Sequence, residues 1–204
     1  MSIYEPPKSS VPTGSRPATR FCLVRHGSTD WNRENRIQGV TDTPMNEEGL
    51  AEIGRLAVAI KDEGWELVVA SDLRRSAESG ELIGQALMIP VFFHKGLRER
   101  SFGPLEGLTI EEVKAKFPQG SDQLALPGLE SRRAIEARAV ATMAMLAAVF
   151  AGRRVIVVTH GGFIRAFFRA GLGLERAARA NAARVVVVWD GRWQLVEGGW
   201  NNDG

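Results

Sequence analysis

Two histidines of this 204-residue chain occur in similar local sequences. Arginine precedes His26 and glycine follows it, and two glycines follow His160. An imidazole can act as a nucleophile near neutral pH, and the guanidinium group forms a fork that fits phosphate. Phosphoryl transfer needs such a nucleophile together with fixed positive donors for the equatorial oxygens. These residue types therefore predict phosphoryl transfer through a histidine, with Arg25 and Arg75 as the clamps.

The same reaction needs an acid that protonates the leaving oxygen, and Glu99 is the candidate. His26 must be neutral at Nε2 in order to attack, and two nearby guanidinium groups would disfavour its cation. We expect a backbone carbonyl at Nδ1 to hold that tautomer. Because arginines can supply the positive charge, no metal and no cofactor are expected. Glu99 could instead form a structural ion pair with Arg98 or Arg100.

The elements that would position these residues follow from the hydrophobic pattern. Short apolar runs of strand length alternate with longer amphipathic segments of helical spacing. The predicted strands are 21–24, 67–70, 91–93, 155–158, 184–189 and 193–196, and the predicted helices are 47–63, 72–87, 130–150 and 162–170, with a short helix opening at 109. This alternation indicates an α/β fold, a three-layer α/β/α sandwich with a mostly parallel central sheet. Ligands bind at the carboxyl ends of such strands, where the candidate residues should meet.

The composition is that of a globular protein, with 44% hydrophobic and 25% charged residues, which excludes wholesale disorder. We expect one domain over residues 21–204, after a flexible tail over 1–20 that is rich in Pro, Ser and Thr. With one cysteine, no recognisable signal peptide and no apolar run of about 20 residues, a cytoplasmic location without a membrane partner is expected. The net charge is only +2, and the arginines form no aromatic-interleaved stripe, so no nucleic-acid partner is expected.

Five segments of the chain resemble one protein family. Residues 23–32, Leu-Val-Arg-His-Gly-Ser-Thr-Asp-Trp-Asn, resemble the RHG signature of the histidine phosphatase superfamily, which includes the cofactor-dependent phosphoglycerate mutases. Four more segments resemble family segments in the same order, at 38–46, 70–77, 97–107 and 159–165. A single RHG tripeptide would be weak evidence, whereas five ordered segments are specific. The resemblance covers about residues 21–193 and implies a phosphoglycerate mutase-like fold.

The resemblance implies a role for each matching position. His26 would become a phosphohistidine, and Glu99 would protonate the leaving group and then deprotonate the attacking water. The transferring phosphoryl group would be bound by Arg25, Arg75 and His160. Further contacts to phosphate or substrate are expected from Ser28, Thr29, Asn32, Gln38, Gly39 and Gly161. The third histidine, His94, lacks a comparable context and is expected at the surface or at the rim of the site.

Hydrolysis and mutase activity begin with the same phosphohistidine. A mutase must retain the phosphoryl group and exclude water, and the segment between Glu99 and the helix predicted at 130 is compact for such a lid at about thirty residues. Residues 127–131 also resemble a stretch of the smaller family phosphatases. We therefore predict phosphomonoester hydrolysis on a small phosphorylated metabolite, with a phosphoglycerate mutase and a non-catalytic phosphate-binding regulatory protein as alternatives. The apolar hairpin with Trp189, Trp193 and Trp200 leaves a homodimer open.

Overall fold

The computed structural model describes residues 18–120, 125–175 and 180–197. Within these ranges six strands form one sheet in the order β3-β2-β4-β1-β5-β6. The strands are β1 (Thr19–Arg25), β2 (Leu67–Ala70), β3 (Val91–Phe93), β4 (Arg154–Thr159), β5 (Arg184–Trp189) and β6 (Trp193–Glu197). The first four are parallel to one another, whereas β5 and β6 are antiparallel to their neighbours. The prediction of a mostly parallel sheet is confirmed.

Helices cover both faces of this sheet. They are α1 (Asp30–Arg33), α2 (Glu47–Ile60), α3 (Arg74–Leu87), α4 (Ile110–Lys116), α5 (Arg132–Val149) and α6 (Gly161–Leu172). Successive strand residues point to opposite faces, so Val24 of β1 packs in a core with Ile53 of α2. Leu23 packs on the other side in a core with Met143 of α5 and Phe163 of α6. These two cores produce the predicted three-layer α/β/α sandwich.

Local capping explains where several helices begin. The side chain of Asn46 accepts a hydrogen bond at the start of α2, and Thr109 forms a reciprocal capping box with Glu112 at the start of α4. The sequence pattern did not predict α1. This helix is a single turn closed by a capping box between Thr29 and Asn32, and a segment that short has no hydrophobic period to detect.

The first strand begins inside the predicted tail. Thr19 is buried, and its hydroxyl accepts a hydrogen bond from the amide of Gly152 over 3.0 Å. Arg20 lies opposite Arg154 in the register of β1 and β4. The strand therefore starts at Thr19 rather than at the predicted residue 21, because sheet pairing extends it beyond its apolar run. Residues 1–17 of the predicted tail lie outside the described residues.

The predicted terminal hairpin is present as β5 and β6. Trp193 lies 4.9 Å from Trp189 and 5.0 Å from Phe167 between ring centroids, so both tryptophans pack against the core that contains α6. Trp200 lies outside the described residues, and the homodimer stays a prediction. No helix in the described part of the chain is long and apolar enough to cross a membrane.

Candidate active site

The two histidines meet because β1 and β4 are parallel neighbours in register. Arg25 at the end of β1 lies opposite Thr159 at the end of β4. The amide of His26 donates to the carbonyl of Thr159 over 3.0 Å. The rings of His26 and His160 lie 5.1 Å apart between centroids, and both are buried. Sheet register therefore brings together two histidines that are far apart in the sequence.

His26 is a neutral imidazole with the lone pair of Nε2 directed at an arginine. Nδ1 lies 2.8 Å from the carbonyl oxygen of Gly27, which can only accept, so Nδ1 carries the proton. Nε2 accepts a hydrogen bond from Nε of Arg75 over 3.3 Å. Burial, together with the charges of Arg75 and Arg25, holds the pKa of His26 well below its ordinary value of 6.5. The structure thus contains the backbone carbonyl that we expected at Nδ1.

Arg75 is a fully buried cation that faces His26. Its terminal nitrogens donate to the carbonyls of Thr41 over 2.9 Å and Gly39 over 2.8 Å. Burial lowers the pKa of Arg75 to about 10, so the guanidinium is still charged at neutral pH. Burial also lowers the pKa of Arg25, the second cation beside His26. Because burying charge is costly, this pair of cations indicates a site for an anion.

His160 presents polar atoms that the described residues do not satisfy. The side chain is 0% exposed, and neither ring nitrogen has a hydrogen-bond partner within the described part of the chain. Burial, together with the charges of Arg75, His26 and Arg25, holds the pKa of His160 well below 6.5. Buried polar groups almost always have a partner. A neutral His160 beside His26 can donate one N–H to an oxygen of a bound anion.

The carboxylate of Glu99 is hydrogen-bonded to the first turn of α6. Its Oε2 accepts from the amide of Gly162 over 2.8 Å, and its Oε1 accepts from the amide of Arg100 over 2.7 Å. A Cβ on Gly162 would overlap the carboxylate, so glycine is required for this close approach. Arg98 forms a bidentate ion pair with Asp72 instead, with both contacts at 2.7 Å. The alternative pairing of Glu99 with Arg98 is therefore wrong.

Arg138 of α5 holds the segment that carries Glu99. Its guanidinium donates to the carbonyls of Gly96 over 2.9 Å, Arg98 over 2.8 Å and Glu99 over 3.3 Å. It also forms an ion pair of 2.7 Å with Glu130. Sequence reasoning missed this residue because an arginine in an alanine-rich helix carries no local signal of a tertiary contact.

These groups border a cavity of about 380 Å³. Seven predicted site residues contribute to its wall: Arg25, His26, Asn32, Gln38, Gly39, Arg75 and Glu99. His160 lies beside His26, is 0% exposed and does not line this cavity. The wall is completed by residues that include Trp31, Asn35, Arg36, Phe102, Arg165 and Asn181. The cavity therefore has a cationic inner end at His26 and a mixed aromatic and polar outer wall.

Besides His160, three predicted phosphate contacts do not line this cavity. The amide and hydroxyl of Ser28 donate to the carboxylate of Glu52 over 2.8 and 3.0 Å. Thr29 is 0% exposed, and its hydroxyl donates to Asn32 over 3.0 Å. Gly161 is buried in the first turn of α6. Capping and packing use the side chains of Ser28 and Thr29, and Gly161 is enclosed, so all three stay predictions as phosphate contacts.

Asn181 is a wall residue that the motifs did not indicate. Its Nδ2 donates to the carbonyl of His26 over 3.2 Å and to Oδ1 of Asn32 over 3.0 Å. It precedes β5 in a segment without a motif. The amide of the following Ala182 donates to the carbonyl of Arg25 over 3.1 Å. This segment braces the loop that contains His26.

Glu106 organises the loop that holds Arg75. Its carboxylate accepts from the amides of Val40 over 3.0 Å, Thr41 over 2.9 Å and Phe102 over 2.9 Å. Gly39 has φ of 53°, and a Cβ there would overlap the Glu106 carboxylate. The carbonyls that hold Arg75 belong to this loop, so Glu106 acts on the clamp from outside the cavity.

The remaining histidine lies outside the site. His94 is half-buried, and its Nδ1 accepts from the amide of Gly96 over 3.1 Å, where it caps a 3-10 turn. Among residues 18–120, 125–175 and 180–197, no three His, Cys, Asp or Glu side chains are grouped as ligands of a metal ion would be.

The protein is an α/β sandwich with a buried cluster of histidines and arginines at the carboxyl ends of parallel strands. The model of the histidine phosphatase superfamily (branch 1) matches residues 21–202. The chain therefore belongs to the histidine phosphatase superfamily, as the five ordered segments predicted.

Known relatives support a hydrolase and the predicted fold. The chain is 34% identical over 190 residues to a metal-independent phosphoserine phosphatase of Arabidopsis thaliana, covering 86% of this chain and 79% of the relative. A mycobacterial glucosyl-3-phosphoglycerate phosphatase, solved with VO3, superposes with a TM-score of 0.78 at 30% identity, covering 88% of this chain and 98% of that one. A phosphoglycerate mutase of Bacillus anthracis superposes with a TM-score of 0.80 at 25% identity, and the match covers 91% of this chain and 94% of that one.

Proposed function

We propose that this protein hydrolyses small phosphomonoesters through a phosphohistidine formed on Nε2 of His26. The observation that carries the proposal is the 2.8 Å contact between Nδ1 of His26 and the carbonyl oxygen of Gly27, which assigns the tautomer. With the proton on Nδ1 and bound to the carbonyl of Gly27, the lone pair of Nε2 is the reactive one. That lone pair faces Arg75 at the cationic end of the cavity, where a phosphate group would bind.

In the first step Nε2 of His26 attacks phosphorus. A P–N bond forms while the bond from phosphorus to the leaving oxygen breaks. Arg75, Arg25 and His160 stabilise the negative charge that spreads over the equatorial oxygens. Glu99, carrying a proton, delivers it to the leaving oxygen and becomes a carboxylate. The amides of Gly162 and Arg100, which donate to the two oxygens of Glu99, hold its side chain in place for this transfer.

In the second step water attacks the phosphohistidine. Glu99 accepts a proton from the water, the P–N bond breaks, and the electron pair returns to Nε2 of His26. The site then holds inorganic phosphate, and Glu99 again carries the proton that the next leaving group needs. Each proton and electron pair is accounted for by residues of the cavity, so the cycle requires no further reactant.

Hydrolysis is favoured over mutase activity by two observations. Two of the relatives named above are phosphatases. The chain between Glu99 and α5 is compact at about thirty residues, which is short for a lid that would exclude water. The phosphoryl group on His26 would then pass to water rather than back to a bound product.

The test is hydrolysis of p-nitrophenyl phosphate by the wild type and by two matched variants. His26→Asn should abolish turnover, whereas His94→Asn, which changes a histidine outside the cavity, should retain it. Full activity in His26→Asn would overturn the proposal. We expect activity to persist in EDTA, and a loss that a divalent ion restores would contradict the role given to the arginines.

A second assay separates hydrolysis from mutase activity. The protein is incubated with 3-phosphoglycerate and a catalytic amount of 2,3-bisphosphoglycerate, and the products are followed by ³¹P NMR. Release of inorganic phosphate without isomerisation is the expected result. Rapid formation of 2-phosphoglycerate would show that the phosphohistidine returns its group to a bound product.

A further inference from the structure

The segment of residues 127–131 is held against the loop that contains the candidate acid. Leu129 forms an antiparallel bridge with Phe102, a residue of the cavity wall. The amide of Glu130 donates to the carbonyl of Ser101 over 2.9 Å. The proposed reaction gives residues 127–131 no role, yet their pairing fixes the chain just beyond the acid.

Arg138 joins the same segment to the acid loop and uses all five N–H donors of its guanidinium. Nε and Nη2 donate to the two carboxylate oxygens of Glu130 over 2.9 and 2.7 Å. Nη1 donates to the carbonyls of Gly96 and Arg98 over 2.9 and 2.8 Å. Nη2 also donates to the carbonyl of Glu99 over 3.3 Å. One side chain of α5 therefore binds three carbonyls of the acid loop and one carboxylate.

Glu99 is consequently anchored at its backbone as well as at its side chain. Its carboxylate accepts from the amides of Gly162 and Arg100, and its carbonyl accepts from Arg138. The side chains of Arg138 and Glu130 are 26% and 19% exposed, and a partly buried ion pair is by itself weak evidence for stability. The five contacts are better explained by the geometry that they fix.

We infer that Arg138, held by Glu130, is a positioning residue that places the carboxyl group of Glu99 against the leaving oxygen of the substrate. This inference rests on the proposed function, in which Glu99 is the acid. Proton transfer requires the acid within about 2.6–3.2 Å of the leaving oxygen, so a small shift of the loop slows it. A lysine has three donors on a point charge and cannot satisfy five acceptor contacts in a plane.

The test compares phenyl phosphate with p-nitrophenyl phosphate in the wild type and in Arg138→Lys. The two esters have similar shapes, but p-nitrophenolate leaves with little help from an acid, whereas phenolate needs the proton. We expect Arg138→Lys to lower kcat/KM about tenfold more for phenyl phosphate than for p-nitrophenyl phosphate. A purely structural role would reduce the amount of active protein, which lowers both values equally and leaves their ratio unchanged.

Lysine is chosen because it keeps the positive charge. Burial is the largest cause of the lowered pKa of His160, and the charge of Arg138 is a smaller one. Arg138→Lys retains that charge, so a change in the ratio reports the lost fork. Glu130→Gln should lower the ratio in the same direction, because it withdraws one acceptor oxygen from the guanidinium. It carries the test if Arg138→Lys gives no folded protein.

A double variant shows whether Arg138 acts through the acid. Glu99→Gln removes the proton donor and should lower the ratio by itself. Adding Arg138→Lys to Glu99→Gln should then lower it no further, because two residues that act in one step are not additive. A further fall in the double variant would show that Arg138 acts on the leaving group by another route, and the inference would be overturned.

Arg133→Lys is the matched control, because Arg133 also lies on α5, is exposed and does not border the cavity. Its ratio should equal that of the wild type. An unchanged ratio in folded Arg138→Lys or Glu130→Gln, or an equal fall in Arg133→Lys, would contradict the positioning role. If Glu99→Gln lowers the ratio and Arg138→Lys does not, only this inference fails. If Glu99→Gln leaves the ratio unchanged, the acid of the proposed function fails with it.

Discussion

Nε of Arg75 donates to Nε2 of His26 over 3.3 Å, and this bond joins the candidate nucleophile to its phosphate clamp. The bond requires an unprotonated Nε2, which agrees with the proton on Nδ1 at the carbonyl of Gly27. It also places the guanidinium beside the atom where a phosphoryl group would be attached. Arg75 therefore favours the reactive tautomer of His26 and lowers its pKa.

The pKa of His26 should respond to Arg75. Burial and two cations disfavour the imidazolium form, so we expect His26 to titrate below 6.5 and to have a higher pKa in Arg75→Gln. Ring ¹⁵N and ¹H chemical shifts followed by NMR from pH 8 to pH 5 measure both values, and His94→Asn identifies the signals of the control histidine. A wild-type pKa at or above 6.5, or the same pKa in both proteins, would contradict this electrostatic coupling.

Protein stability should decrease in mild acid because of the buried histidines. The folded-state pKa values of His26 and His160 lie below the unfolded value of about 6.5, so the unfolded chain binds more protons below pH 6.5. The stabilisation from the two neutral histidines is complete above pH 6.5, and below that pH each histidine adds a slope of up to about 1.4 kcal/mol per pH unit. Urea unfolding between pH 7.5 and 5.5 should show a shallower slope in His160→Gln. Equal slopes would argue against a neutral His160 in the folded state.

Glu106 should act as a positioning residue. In Glu106→Gln the amide group cannot accept from the three backbone amides as the carboxylate does, so the loop at Gly39 and Thr41 shifts and carries Arg75 with it. We expect kcat/KM to fall on the order of 100-fold and the pKa of His26 to rise toward 6.5. Glu112→Gln, which alters the exposed capping box of α4, should lower stability without moving the pKa of His26. A purely structural role of Glu106 would leave that pKa unchanged in both variants.

Gly162→Ala should displace the acid. A Cβ at this position overlaps the carboxylate of Glu99, so alkyl phosphates, which need a proton on the leaving oxygen, should lose more activity than p-nitrophenyl phosphate. The ratio of the two kcat/KM values is the measurement. Gly54→Ala on α2, where a Cβ meets nothing within 4 Å, should leave the ratio unchanged and add up to about 1 kcal/mol of stability. Equal losses on both substrates in Gly162→Ala would remove Glu99 from the acid role.

The fold could be predicted because the strands appear in the sequence as short apolar runs and the helices as amphipathic segments with capping residues. The apolar runs that became β2 and β3 match the observed bounds, and Thr109 and Asn46 marked helix starts through their caps. The one-turn α1 was missed because it depends on a reciprocal contact between Thr29 and Asn32 rather than on a hydrophobic period.

The positions of His26 and Glu99 could be predicted from sequence motifs, whereas the residues that hold their loops in place could not. Residues around His26 and Glu99 follow strands in recognisable segments, so their meeting could be inferred from the parallel sheet. Arg138 and Asn181 contact these segments only through the tertiary fold, and no spacing in the sequence encodes such contacts. Ser28 carries a suitable side chain in a suitable motif, yet its hydrogen bonds go to Glu52.

The most direct test of the proposed mechanism is to locate the phosphoryl group during turnover. The protein is mixed rapidly with ³²P-labelled substrate and quenched in base, where a P–N bond survives, and the label is mapped by mass spectrometry. We predict a label on His26 that is absent from His26→Asn and present in His94→Asn. A label on another residue, or continued turnover by His26→Asn, would contradict the assignment of His26 as the nucleophile.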